Sequence, residues 1–143
     1  MSAPLLARSI LTAIAAGQGA APLFIDLNRT HATNPLWPGH ARFHVVSQTF
    51  AETMAGAVEV ALIWWPGPTA RERFYLAAVL TAIPMAAFFV AMGARHLYSG
   101  TLHDPNGIPP VRIRTSSRVV EFHLNVVIVA LAAALLVVAA FLF

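Results

Sequence analysis

The sequence predicts an all-α fold: a polytopic membrane protein built as an antiparallel bundle of four transmembrane helices. Three observations support this. Mean hydropathy is +0.70 and only 10% of residues are charged, a composition outside the soluble globular range. Several apolar stretches approach or exceed the ~20 residues that cross a bilayer as a helix. Turn formers separate them at Asn34-Pro35, Pro38-Gly39, Pro66-Gly67 and Asp104-Pro105-Asn106-Gly107, where helices stop and start. The 143 residues read as one domain, with spans at about 5–24, 40–65, 74–98 and 117–143.

Composition also narrows the chemistry. The chain has no cysteine, which removes disulfides, thiolate metal sites and cysteine nucleophiles. All nine basic residues are arginine, so lysine Schiff-base chemistry is absent too. A pI near 10.6 does not point to nucleic acid, because the arginines are scattered over loops and helix ends. They read as topology and interface charges.

In the first span, Gly17 and Gly19 offer a small-residue surface for close packing, and Pro22 is expected to end or kink it. A secretory signal peptide is the alternative, with Arg8 as its basic region and Gly19-Ala20-Ala21 as the cleavage end. In the following loop Asp26, Asn28 and Thr30 alternate as calcium-loop ligands do. His31 stands where glycine is required and Trp37 at the twelfth position, so calcium is rejected. Trp37 suits an interface anchor, and Trp64-Trp65 marks the opposite interface, about 30 Å from His44 by helix rise. Pro84 can kink the third span, and Phe88 and Phe89 suit lipid or packing contacts. Pro109-Pro110 and the Val111–Ile113 alternation suggest a short extended or re-entrant piece. In the fourth span, Arg118, Glu121 and Asn125 are expected on one helix face, with His123 turned about 160° from Glu121.

The second span holds the main functional signal. His40, His44, Gln48, Glu52 and Glu59 fall within about 120° of one helix face. An ionisable group costs a few kcal/mol at the centre of a spanning helix, so such a stripe faces a bundle interior. Glu59 falls near the tryptophan interface, where solvent is expected to reach it; Glu52 lies at mid-depth.

Four antiparallel spans would gather Asp26, Asn28, His31, His40, His44, Arg95, His96, His103, Glu121, His123 and Asn125 on one membrane side. All six histidines are among them. The other side would hold only Arg8, Arg71, Glu72, Arg73 and Glu59. Arg29, Arg42, Arg95, Arg112, Arg114 and Arg118 also favour the polar end, so the positive-inside rule places both termini outside. A multi-pass protein of a bacterial-type inner membrane is expected, with lipid around it and a homo-oligomer as one option.

Candidate chemistry follows from these groupings. Glu52 and His44, with Glu121 and Asn125, suit an acid–base pair with orienting groups, because carboxyls in apolar surroundings favour the neutral, proton-donating form. Gln48, His31, His40, Asp26, Asn28, Trp37, Arg95 and His96 are the candidate substrate contacts. A polar network that only fixes helix pairing is the plainer explanation. No cofactor is favoured. A divalent metal on His40 and His44 at i and i+4 is an alternative, with His31, His96, Glu52 or Glu121 as further ligands. Haem between His44 and His96 or His123 is a weaker one. Arg95 or Arg118 can hold a phosphate or carboxylate headgroup, or pair with Glu121.

The runs Asp26-Leu27-Asn28-Arg29-Thr30-His31 and Asn34-Pro35-Leu36-Trp37-Pro38-Gly39-His40-Ala41-Arg42-Phe43-His44 resemble a family of small four-helix membrane proteins without an established function. Its pattern is D-x-N-x-T-H followed by N-P-x-W-P-x-H-A-x-F-H. The layout is also similar, in architecture alone, to the sterol-isomerase (emopamil-binding) group; no motif matches, so no catalytic residue transfers. The expected activity is acid–base isomerisation, cyclisation or epoxide chemistry on a lipophilic small molecule. A metal or haem enzyme, or a small carrier with a polar stripe lining a solute path, are the alternatives.

Overall fold

Four helices account for most of residues 2–143, which the computed structural model describes. They are α1 (Ala3–Ile25), α2 (Gly39–Trp64), α3 (Ala70–Ala94, extended by a 3-10 turn at Arg95–Leu97) and α4 (Leu124–Leu142). Two strands, β1 (Val111–Arg114) and β2 (Val119–Phe122), form an antiparallel hairpin between α3 and α4. Ala70–Leu97 and Leu124–Leu142 are long and apolar enough to cross a membrane.

Local sequence accounts for the ends. Pro4 occupies the first turn of α1, where its missing N–H has no helical partner to lose. Pro22 does not end the helix: it lies in the last turn, and its carbonyl accepts the Asp26 amide at 2.9 Å. Pro84 likewise sits inside α3, which runs on to Ala94. Pro38 precedes α2, and Pro66 follows its last turn. Gly67, at φ 129°, turns the chain toward α3 in a conformation side chains disfavour. Arg73 then ties the turn together, donating to the Trp65 carbonyl at 2.6 Å and to the Thr69 hydroxyl.

α1 packs most extensively on α2, with α4 against α1 and α3 against α2. Small residues allow the tightest approach. A Cβ on Gly56 would lie 2.8 Å from the Ala15 carbonyl oxygen and 3.1 Å from the Gly19 Cα. Thr53 Oγ1 donates to the Gly19 carbonyl at 2.8 Å across the same crossing. Toward the chain ends the core is apolar: Leu11, Ile14, Ile63, Phe74, Met85, Leu136 and Ala139 cluster there. Phe143 stacks on Phe74 at 3.9 Å, and Trp64 Nε1 donates to Thr12 Oγ1 at 2.8 Å. Around this core most large side chains of α4 are exposed, Phe141 at 88%.

The hairpin corrects the expected start of the fourth span. Residues 117–122 are not helical, and α4 begins at Leu124. Val119-Val120 supplies β-branched residues that pair with the Val111–Arg114 alternation, with Arg112 opposite Glu121. Thr115 and Arg118 close the loop, the Thr115 amide donating to the Arg118 carbonyl at 2.9 Å.

The α1–α2 crossing makes a direct prediction. Gly56→Ala should lower stability in detergent by about 1–3 kcal/mol, because its methyl meets backbone that cannot rotate away. Gly17→Ala, with nothing within 4 Å of the added carbon, should leave the unfolding midpoint unchanged or raise it. Equal midpoints for both variants would show that the crossing tolerates separation.

Candidate functional site

The α1–α2 crossing sets the polar face of α2 beside α1 and α3. An open groove of about 510 Å³ runs there, lined by Gln18, Gln48, Glu52 and Glu59 among apolar Met54, Val58, Leu80, Ile83 and Pro84. Gln48 Nε2 donates to Glu52 Oε1 at 2.9 Å, one helical turn away, the i, i+4 spacing that lets side chains meet. Glu59 is only 4% exposed, and Thr81 Oγ1 donates to its Oε2 at 2.7 Å. The Oε1 atom of Gln18 is enclosed and has no hydrogen-bond partner.

Glu59 is thus a correction: packing of α3 on α2 covers it, and solvent does not reach it as expected. Its angle on the stripe already placed it with Glu52. Gln18 and Thr81 were not among the sequence candidates. Thr81 is the one hydroxyl in an otherwise apolar run from Leu76 to Ala94, a signal that becomes informative once α2 and α3 are aligned.

A smaller pocket of about 240 Å³ adjoins Gln48 and is lined by Asp26, His31 and Val45. Here the loop after α1 folds on itself. Asn28 Nδ2 donates to the Phe24 carbonyl at 2.8 Å, filling an acceptor that the end of α1 leaves open. Its Oδ1 accepts from the Thr30 amide at 2.8 Å and hydroxyl at 2.7 Å. His31 Nδ1 lies 2.7 Å from Thr30 Oγ1 and 3.7 Å from Asp26 Oδ1, while the ring meets Trp37 edge-on at 5.2 Å. Asn34, 1% exposed, accepts the Leu36 amide at 3.0 Å and donates to the Thr30 carbonyl at 3.1 Å. Asn28 and Asn34 build the loop, and Asp26 and His31 face the cavity.

The remaining candidates lie elsewhere. His40 and His44 are exposed on the first turns of α2, with Nε2 atoms 3.0 Å apart. Two nitrogens so close can share a hydrogen bond or grip one ion. No group of three or more His, Asp or Glu positioned for a metal occurs among the described residues. Glu121 and Asn125 do not share a helix face. Glu121 is on β2, accepting from Arg112 Nε at 2.9 Å, and Asn125 Nδ2 donates to the Leu102 carbonyl at 2.8 Å. The helix assumed for both residues is a hairpin at one of them. Arg95 donates to the Met92 carbonyl at 2.8 Å, and His96 is exposed beside it. The His123 ring lies 5.5 Å from that of His103.

No protein-family model, curated protein or solved structure matches the chain.

Burial pushes the Asp26 carboxyl above its ordinary value, and His31 beside it pulls it part-way back. The folded chain then keeps a proton over a window where the unfolded chain has lost it. Stability falls as pH rises through that window, which begins near the ordinary value of 3.8. Asp26→Asn should therefore unfold at a higher temperature than the parent at pH 7, with the difference fading below about pH 4. A lower midpoint at pH 7 would mean that the His31 attraction outweighs burial.

Proposed function

We propose that all four helices cross the bilayer and that the chain is a small membrane enzyme acting on a lipophilic molecule by acid–base chemistry. One observation carries this reading: two carboxyls, Glu52 and Glu59, share an open groove whose other walls are largely apolar. The exposed apolar surfaces of α3 and α4 support the membrane setting. Likeness of residues 26–44 to the small four-helix family belongs to the same proposal.

The groove has what such a reaction needs: a lipophilic wall and two carboxyls, one to donate a proton and one to accept it. Glu52 and Glu59 are seven residues apart, about 10.5 Å along the helix. That separation suits an elongated polyene or epoxide. Glu59, the carboxyl that α3 covers, acts as the acid and gives its proton to one end, and the resulting cation closes on a double bond. Glu52, the more open carboxyl, acts as the carboxylate and removes a proton from the other end, so the product is an isomer of the substrate. Gln48 orients Glu52, and Thr81 orients Glu59. His44 and His40 form the rim rather than the acid–base pair. A carrier is the second reading, favoured by Glu59 and Thr81, which continue the polar stripe beyond mid-depth.

Glu52→Gln and Glu59→Gln should each slow conversion of isoprenoid epoxides, followed by mass spectrometry, by 10²-fold or more. Asp104→Asn, in the loop before β1, should convert as the parent does. Undiminished turnover in Glu52→Gln would remove it as the base. Elemental analysis of the purified protein should find less than one metal per chain. Stoichiometric zinc or copper, lost in His44→Ala, would move the chemistry to the His40–His44 pair.

A further inference from the structure

The hairpin has two chemically distinct faces. Directly opposed residues of an antiparallel pair share a face, and neighbours along a strand alternate. The observed register therefore puts Val111, Ile113, Val120 and Phe122 on one side, and Arg112, Arg114, Val119 and Glu121 on the other. Val111, Ile113 and Phe122 are all exposed, at 60%, 51% and 46%. Glu121 engages Arg112, which leaves Arg114 and Arg118 without an ion pair among the described residues. Only His123 separates Phe122 from the start of α4.

We propose that this hairpin lies on an anionic lipid surface, its apolar face against the acyl chains and Arg114 and Arg118 among the headgroup phosphates. Three features point to lipid. The hairpin runs directly into a helix long and apolar enough to cross a membrane, so it sits at the depth where acyl chains meet headgroups. Its apolar face is bare, as an interfacial amphipathic element requires. Its unpaired charges are both positive, matching anionic headgroups. The inference rests on α4 spanning the bilayer and is independent of the acid–base reading.

The chain has no cysteine, so single-cysteine variants take a nitroxide at one site. Ile113→Cys, Arg114→Cys and, in the exposed face of α4, Leu131→Cys would be labelled and reconstituted into vesicles of phosphatidylglycerol and phosphatidylcholine. Collision with dissolved oxygen, which concentrates in lipid, is compared with collision with an aqueous nickel chelate. The oxygen-to-nickel ratio should be several-fold higher at 113 than at 114, with 131 higher still. Arg114→Gln with Arg118→Gln, read from the label at 113, should lower that ratio in anionic vesicles and leave it unchanged in pure phosphatidylcholine. Equal, nickel-dominated ratios at 113 and 114 with 131 in lipid would overturn the hairpin proposal alone. A water-exposed 131 would overturn it together with the membrane placement of α4. Spin–spin broadening at 113, diluted away by unlabelled protein, would assign the apolar face to a second copy instead.

Discussion

The close approach of α1 and α2 at Gly19 and Gly56 is the constraint on which the rest of the structure depends. Backbone meets backbone there, with Thr53 donating across the crossing to the Gly19 carbonyl at 2.8 Å. If α1 and α2 cross the bilayer as proposed, lipid is as apolar a partner as another helix, so small residues and interhelical hydrogen bonds decide which surfaces meet. This contact sets the polar stripe of α2 beside α1 and leaves the groove toward α3 open. It also brings the loop after α1 over the first turns of α2, where Asp26 and His31 meet Val45 and Gln48.

Polar groups in the groove are costly in a chain this apolar. A buried carboxyl without hydrogen bonds loses several kcal/mol of hydration, and Thr81 recovers only part of that for Glu59. Packing alone would be served as well by leucine at either position. Carboxyls at two levels of one groove, with glutamines beside them, are the feature on which the proposed lipophilic guest rests. The acid–base reading uses both carboxyls; a carrier would use them as steps on a path.

Parts of the site were legible in the sequence for simple geometric reasons. The four-residue steps from His40 to Glu52 hold on any straight helix, so the Gln48–Glu52 and His40–His44 pairs formed as their spacing implied. The loop signature was visible as a pattern but not as a function. Asn34 is the turn former that Asn34-Pro35 implied, whereas Asn28 proved to cap the end of α1, a use of asparagine that sequence alone does not separate from substrate binding. Glu121 and Asn125 were misjudged together, because Val119, Val120, Phe122 and Leu124 around a helix start read alike as helix or strand.

Hydropathy and turn residues by themselves determined the helical class and the positions of α1, α2 and α3, since these depend on local composition and backbone geometry. They also determined which side chains share a face of α2. Tertiary structure alone decided that Glu59 is covered, that Thr81 and Gln18 join it, and that residues 111–122 pair as a hairpin before α4. Each depends on contacts between residues distant in the chain: Thr81 lies 22 positions from Glu59, and Arg112 lies nine from Glu121. Periodicity within one segment contains no information about which neighbour packs against it.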